Sequence, residues 1–183
     1  MSTGSTPIAT DREQAVSALQ RSLDTFLKTM EPVPESASGA KLNDGSWTIL
    51  EVAEHIAVSE HGMFRGIEVS GEKTTPTDFG FDERIIVGSA NRETKRTAPE
   101  RAHPKGRWKS LAECVEAFKQ ARIRTLEFAK SAEGLRGKEV QHPLFGPVDG
   151  HQCLLIMAGH TERHTLQIEE IKASAAYQAV VNA

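Results

Sequence analysis

Four stretches of this sequence place apolar residues every three or four positions, and each opens on a residue that caps helices. That period matches the turn of an α-helix and lays one apolar stripe along it. The first stretch runs from Asp11 through Ala15, Leu19, Leu23, Phe26, Leu27 and Met30. Thr10 or Asp11 caps it, and Pro32 and Pro34 stop it. In the second, Thr48 and Glu51 form a capping box, each side chain satisfying the other residue's free backbone N–H. Its stripe continues through Ile49, Val52, Ile56, Phe64 and Ile67 to about Ser70. Ser110 and Glu113 repeat the device ahead of Leu111, Cys114, Phe118, Leu126 and Phe128, ending near Gly134. The fourth begins near Asp149, carries Leu154, Met157, Ile168 and Ile171, and fades into an alanine-rich tail. No internal repeat or persistent two-residue alternation competes. The expected fold is all-α, a four-helix bundle.

The connections refine this expectation. The link between the second and third helices, residues 71–109, is long and polar, and Gly80, Pro99, Pro104 and Gly106 interrupt it. It has room for a short helix around residues 82–90. Short loops join antiparallel neighbours, so a link of this length permits a parallel crossover between helices two and three. A chain of 183 residues suits one domain. We expect a flexible tail at residues 1–9, the bundle at 10–175 and a C-terminal tail at 176–183.

Composition narrows the function classes. The formal net charge is -3, from 22 Lys+Arg against 25 Asp+Glu, without the basic surplus of a nucleic-acid binder. The longest apolar stretch, residues 153–159, falls far short of the ~20 residues that cross a membrane. The N-terminal sequence lacks the apolar run of a secretory signal, so a cytoplasmic location is expected. Cys114 and Cys153 lie far apart inside helical patterns and read as buried, reduced thiols rather than a disulfide framework.

The histidines carry the chemistry. His160 and His164 are four apart on the fourth helix, so both project from one face about one turn apart. That face is the apolar one: stepping from Met157 passes through His160 and His164 to Ile168 and Ile171. Two unpartnered imidazoles there are costly to bury, because each must satisfy a ring N–H and a lone pair. A shared metal ion satisfies both lone pairs. His55, three residues after Val52 on the second helix, borders another inward face. One ligand from one helix and two from a facing helix is how bundles build metal sites. The plainer readings are a surface pair or core histidines satisfied by hydrogen bonds. Three imidazoles without a fourth protein ligand leave an open position, which suits catalysis. A closed structural site needs a fourth ligand, such as His142 or Glu60.

Other residues weigh less. In His160-Thr161-Glu162-Arg163-His164 the glutamate stands one position later than in the H-E-x-x-H metalloprotease helix. It therefore points away from the metal, and we expect it to face solvent. Glu51 is four before His55 and could orient its ring, although capping is its expected use. Glu60 is a weak candidate base; a solvated helix-face role competes. His142, in the segment from His142 to Pro147, is a candidate to close over the site, and His151 points elsewhere. His61 and His103 read as surface. Arg163, Arg122 and Arg124 could serve anionic ligands only if they leave the solvated helix faces expected of them. A di-iron carboxylate site fails because Val52, not Glu, precedes His55 by three, and neither His160 nor His164 has Glu there. No nucleophile elbow, phosphate loop or dinucleotide fingerprint is present.

The order of these segments resembles the DinB-like (DinB/YfiT) superfamily. Trp47-Thr48 leads into Glu54-His55-Ile56; Gly106-Arg107-Trp108 precedes the third helix. The His142–Pro147 segment follows, and then His160 to His164 with Gln167-Ile168. The resemblance spans residues 11 to 175. It implies an up-down-down-up course, a metal held by His55, His160 and His164, and a homodimer. It also implies one of two chemistries on a small-molecule substrate. One is hydrolysis through a metal-activated water; the other is S-transfer or isomerisation with a low-molecular-weight thiol of the mycothiol or bacillithiol kind. A non-catalytic metal-binding stress-response protein is the contrasting expectation, since fold alone does not decide function. One divalent ion, zinc or nickel first, is the expected cofactor.

Overall fold

The computed structural model describes residues 10–93 and 97–183; the tail expected at 1–9 lies outside them. Four long helices form the frame: α1 (Asp11–Met30), α2 (Ile49–Glu68), α4 (Leu111–Ser131) and α5 (Gly150–Lys172). The long link holds a short helix, α3 (Gly80–Ser89), which packs against α5. The chain's end is not a tail but a further short helix, α6 (Ala175–Val181), which buries Tyr177. No helix is long and apolar enough to cross a membrane, among the described residues.

The caps explain where the helices start. Thr10 with Glu13, Thr48 with Glu51 and Asp149 with Gln152 each form a reciprocal capping box. At α4 only half of the device exists. Ser110 accepts from the Glu113 N–H at 3.2 Å, but the Glu113 carboxylate accepts from Lys109 N–H at 3.0 Å instead. Glu35 answers another free donor of the first turn by taking the Leu111 N–H at 2.8 Å. A residue far along the chain thus completes the cap, which local spacing cannot reveal.

Each of α1 and α2 packs against both α4 and α5. The stripes read from the sequence meet in a single core around Leu19, Phe26, Ile56, Phe118, Leu154 and Met157. At its centre Phe26 and Phe118 meet edge to face, their rings 4.8 Å apart.

One feature departs from the all-helical expectation. A small antiparallel sheet, β1 (Gly71–Glu72), β2 (Lys138–His142) and β3 (Gly146–Asp149), closes one end of the bundle in the order β1-β2-β3. Its strands are too short to show alternation, and Val140 and Val148 are its only buried apolar side chains. Gly146 adopts a left-handed φ of 71°, a conformation that glycine reaches without strain, at the turn between β2 and β3. That same end gathers the start of α1: Arg12 donates to the Ala132 carbonyl, and Arg136 grips both Asp11 oxygens at 2.8 Å. His151, in the first turn of α5, hydrogen-bonds Gln14 at 2.9 Å.

Candidate metal centre

Helix α2 brings His55, and α5 brings His160 and His164, to one point. A ring nitrogen from each lies within 4.8 Å of the others, and the ring centroids are 4.5–4.9 Å apart. His55 and His160 face each other through their Nε2 atoms at 3.0 Å. His55 is 3% exposed, His164 9% and His160 half-buried, so the three are neither a surface feature nor remote from the core.

The outer ring nitrogens of His55 and His164 each have a partner that fixes the tautomer. His55 Nδ1 donates to the Ala102 carbonyl at 2.7 Å, and His164 Nδ1 donates to Gln167 Oε1 at 2.8 Å. Both Nε2 atoms are thereby left as lone pairs turned to the common centre, the usual outer-shell arrangement for metal-ligating histidines. Glu51, weighed for that orienting role, is used only as a cap. Trp47 covers His55, with ring centroids 4.9 Å apart.

The loop that follows Ala102 is anchored by a residue next to His55. Glu54 is 1% exposed and accepts from the backbone N–H groups of Lys105, Gly106 and Arg107, and from the Arg107 guanidinium at 2.8 Å. Gly106 has φ +69°, the left-handed conformation that turns its N–H onto the carboxylate. Burial alone would raise the Glu54 pKa; these hydrogen bonds outweigh it and hold the carboxyl below its ordinary value. Local spacing assigns Glu54 no role, since its partners come from a loop about fifty residues away.

Other candidates separate clearly. Glu60 is neither a base in the cavity nor a solvated residue: it is 1% exposed and paired with Arg122 through two contacts of 2.8 Å. Arg122, expected on a solvated face, is fully buried. Its remaining donors reach Leu19 O, Ser22 Oγ, Met157 O and Thr161 Oγ1, so it ties all four long helices together. Arg124 lies over the Phe64 ring, and Glu162 meets Arg21 at 3.4 Å on the outside. His61 is exposed as expected, but His103 is half-buried, edge-on to Trp47, and lines the cavity. Both cysteines are free and buried, and burial pushes each thiol up to about 12.

The three histidines form part of the wall of a cavity of about 730 Å³. His142, at the end of β2, also lines it, and its Nδ1 accepts the N–H groups of Leu144 and Phe145. No fourth histidine, cysteine or carboxylate joins the three, among the described residues. A second cluster, Asp11, Asp82 and His151, already holds the Arg136 guanidinium as its cation.

Burial lowers the pKa of all three rings, with the neighbouring histidines adding repulsion; His160 and His164 fall well below the ordinary 6.5. Neutral imidazole is the ligand form, so the rings are ready for a cation at neutral pH. The metal-free fold resists protonation at these rings more than the unfolded chain does. Its stability is therefore complete above the ordinary histidine range and is lost as pH falls through 6.5 and below. Urea midpoints should drop between about pH 7.5 and about pH 5.5, and the drop should shrink in His164→Gln. A midpoint equal at both values would contradict this.

Gln167 gives a sharper local test. Gln167→Ala removes the acceptor behind His164 and is expected to weaken metal binding by about 10–100-fold, the usual effect of an outer-shell partner. A calorimetric titration reads this directly, and unchanged affinity would remove Gln167 from the site.

A helical bundle with three converging imidazoles in its interior defines a class of bundle protein with a candidate metal centre. The chain belongs to the DinB superfamily, whose family model matches residues 18–168. Its fold is similar to a solved structure of YfiT from Bacillus subtilis, described as a probable metal-dependent hydrolase with an unusual four-helix bundle topology. The two share 13% identity over 93% of this chain and 91% of that one, with a TM-score of 0.61. That likeness speaks for the fold. No curated protein matches the sequence.

Proposed function

We propose that this protein is a metal-dependent hydrolase whose divalent cation is held by His55, His160 and His164. The observation that carries the reading is the convergence of three ring nitrogens, two of them set by fixed outer partners, on the wall of a sizeable cavity. An all-imidazole donor set suits zinc or nickel. A cation there supplies the Lewis acidity that brings the pKa of a water, or of a thiol, toward neutrality. The chain's own residues do the positioning. Glu54 fixes the loop whose Ala102 carbonyl aims His55, Gln167 aims His164, and Trp47 shields the His55 ring. Val58, Met63 and Ile156 give the cavity apolar walls that seat the non-reacting part of a substrate. The description of the YfiT structure supports the same reading.

We also propose the up-down-down-up course. Its support is that β1 and β2, which follow α2 and α4, pair with each other beside the first turns of α1 and α5.

Protein loaded with zinc or nickel is expected to hydrolyse members of a panel of nitrophenyl esters, amides and phosphates. Turnover should vanish on chelation and in His164→Ala. Hydrolysis indifferent to chelation would contradict the reading. Turnover that needs an added low-molecular-weight thiol would replace hydrolysis by thiol transfer.

A further inference from the structure

The cavity beside the histidines has a charge pattern that metal binding does not require. The chain has 25 acidic residues, yet none of those described lines the cavity, whereas Arg65, Arg92, Arg101 and Arg163 do. A protein of net charge -3 thus encloses a space whose fixed charges are all positive. Low-dielectric walls focus such a field and raise the local concentration of anions. Apolar side chains, Val58, Met63, Leu144, Phe145 and Ile156, share the lining.

The four arginines differ in where they stand relative to the triad. Arg92 grips both Glu170 oxygens at 2.7 and 2.8 Å and also reaches Gln167, so its charge is largely answered. Arg65 leans on Glu68 at 3.5 Å, where both side chains are exposed. Arg101 lies in the short turn Glu100–Ala102, one residue before the carbonyl that aims His55. Arg163 is half-buried and directly precedes His164. These two sit where a ligand's charged group would be fixed close to the triad, and a guanidinium fork matches carboxylate or phosphate oxygens in pairs.

We infer that the cavity selects an organic anion, a carboxylate or phosphate carried on an apolar body, and that Arg101 and Arg163 recognise its charged end. The inference rests on the reading of the cavity as the substrate site, and it holds whether or not the metal is catalytic.

The test is a calorimetric titration of metal-stripped full-length protein at about pH 8, where free imidazole is neutral. Phenylpropionate should bind about tenfold or more tightly than its neutral amide, the factor that one charge-assisted hydrogen bond supplies. In the double variant Arg101→Gln/Arg163→Gln that preference should disappear, while affinity for the amide and the thermal midpoint stay unchanged. Phenylpropyl phosphate distinguishes the two head groups: whichever anion binds more tightly names the class, and either result upholds the proposal. Equal affinity for acid and amide, a preference intact in the double variant, or no binding of either anion at millimolar concentration overturns it. Because no metal is present, those outcomes leave the three-histidine reading standing; metal content decides that question separately.

Discussion

Arg122→Met should lower the stability of this protein by about 3–5 kcal/mol, the cost of stranding one member of a buried ion pair. The loss is large against a total of about 5–15 kcal/mol for a domain of this kind. Arg122 is fully buried and spends its guanidinium donors on Glu60, Leu19, Ser22, Met157 and Thr161. Removing it leaves the Glu60 carboxylate in the core with the Thr125 hydroxyl, at 2.7 Å, as its one remaining donor among the described residues. The double variant Arg122→Met/Glu60→Leu should recover much of the loss, because it deletes both charges rather than one. Urea denaturation of the two variants measures this. A single variant that loses less than about 1 kcal/mol would show that the pair contributes no more than an exposed one.

The second large effect is on metal affinity. His160→Ala and His164→Ala each delete one of three donors, so each should weaken zinc or nickel binding more than the ~100-fold upper range of an outer-shell change such as Gln167→Ala. The helical content should stay native, since His160 is only part-buried and the core beneath is carried by Leu154, Met157 and Ile168. Titration calorimetry with circular dichroism on the same samples separates loss of the site from loss of the fold. Native affinity in either variant would remove that histidine from the ligand set.

How much of this was legible in the sequence depends on the range of the interaction. Helical stripes, reciprocal caps and the i,i+4 histidine pair are local, and Thr48–Glu51 or His160–His164 can be read directly from spacing. His55 was legible because it borders the stripe of its own helix. The buried ion pair leaves the same trace. Glu60 lies midway between Ile56 and Phe64, and Arg122 midway between Phe118 and Leu126, each on an inward stripe. A charged residue on such a stripe needs a partner, and two of opposite sign point to each other. The Glu54 clamp, the Glu35 cap on α4 and the short sheet left no such trace. Each joins segments tens of residues apart, and strands of two to five residues are too short to show a period. The cavity's lack of acidic side chains is likewise a product of folding, assembled from α2, α5, the loop before α4 and the β2–β3 hairpin.

Elemental analysis of the native purified protein, beside His55→Ala, decides whether the three histidines hold a metal ion. His55 is the single proposed ligand from α2, so its removal is expected to open the site without disturbing the α5 pair. About one zinc or nickel per native chain is expected, as three imidazoles around one ion require, with a clear deficit in the variant. Native protein that stays metal-free after incubation with both ions, or a variant that retains the native metal content, would contradict it.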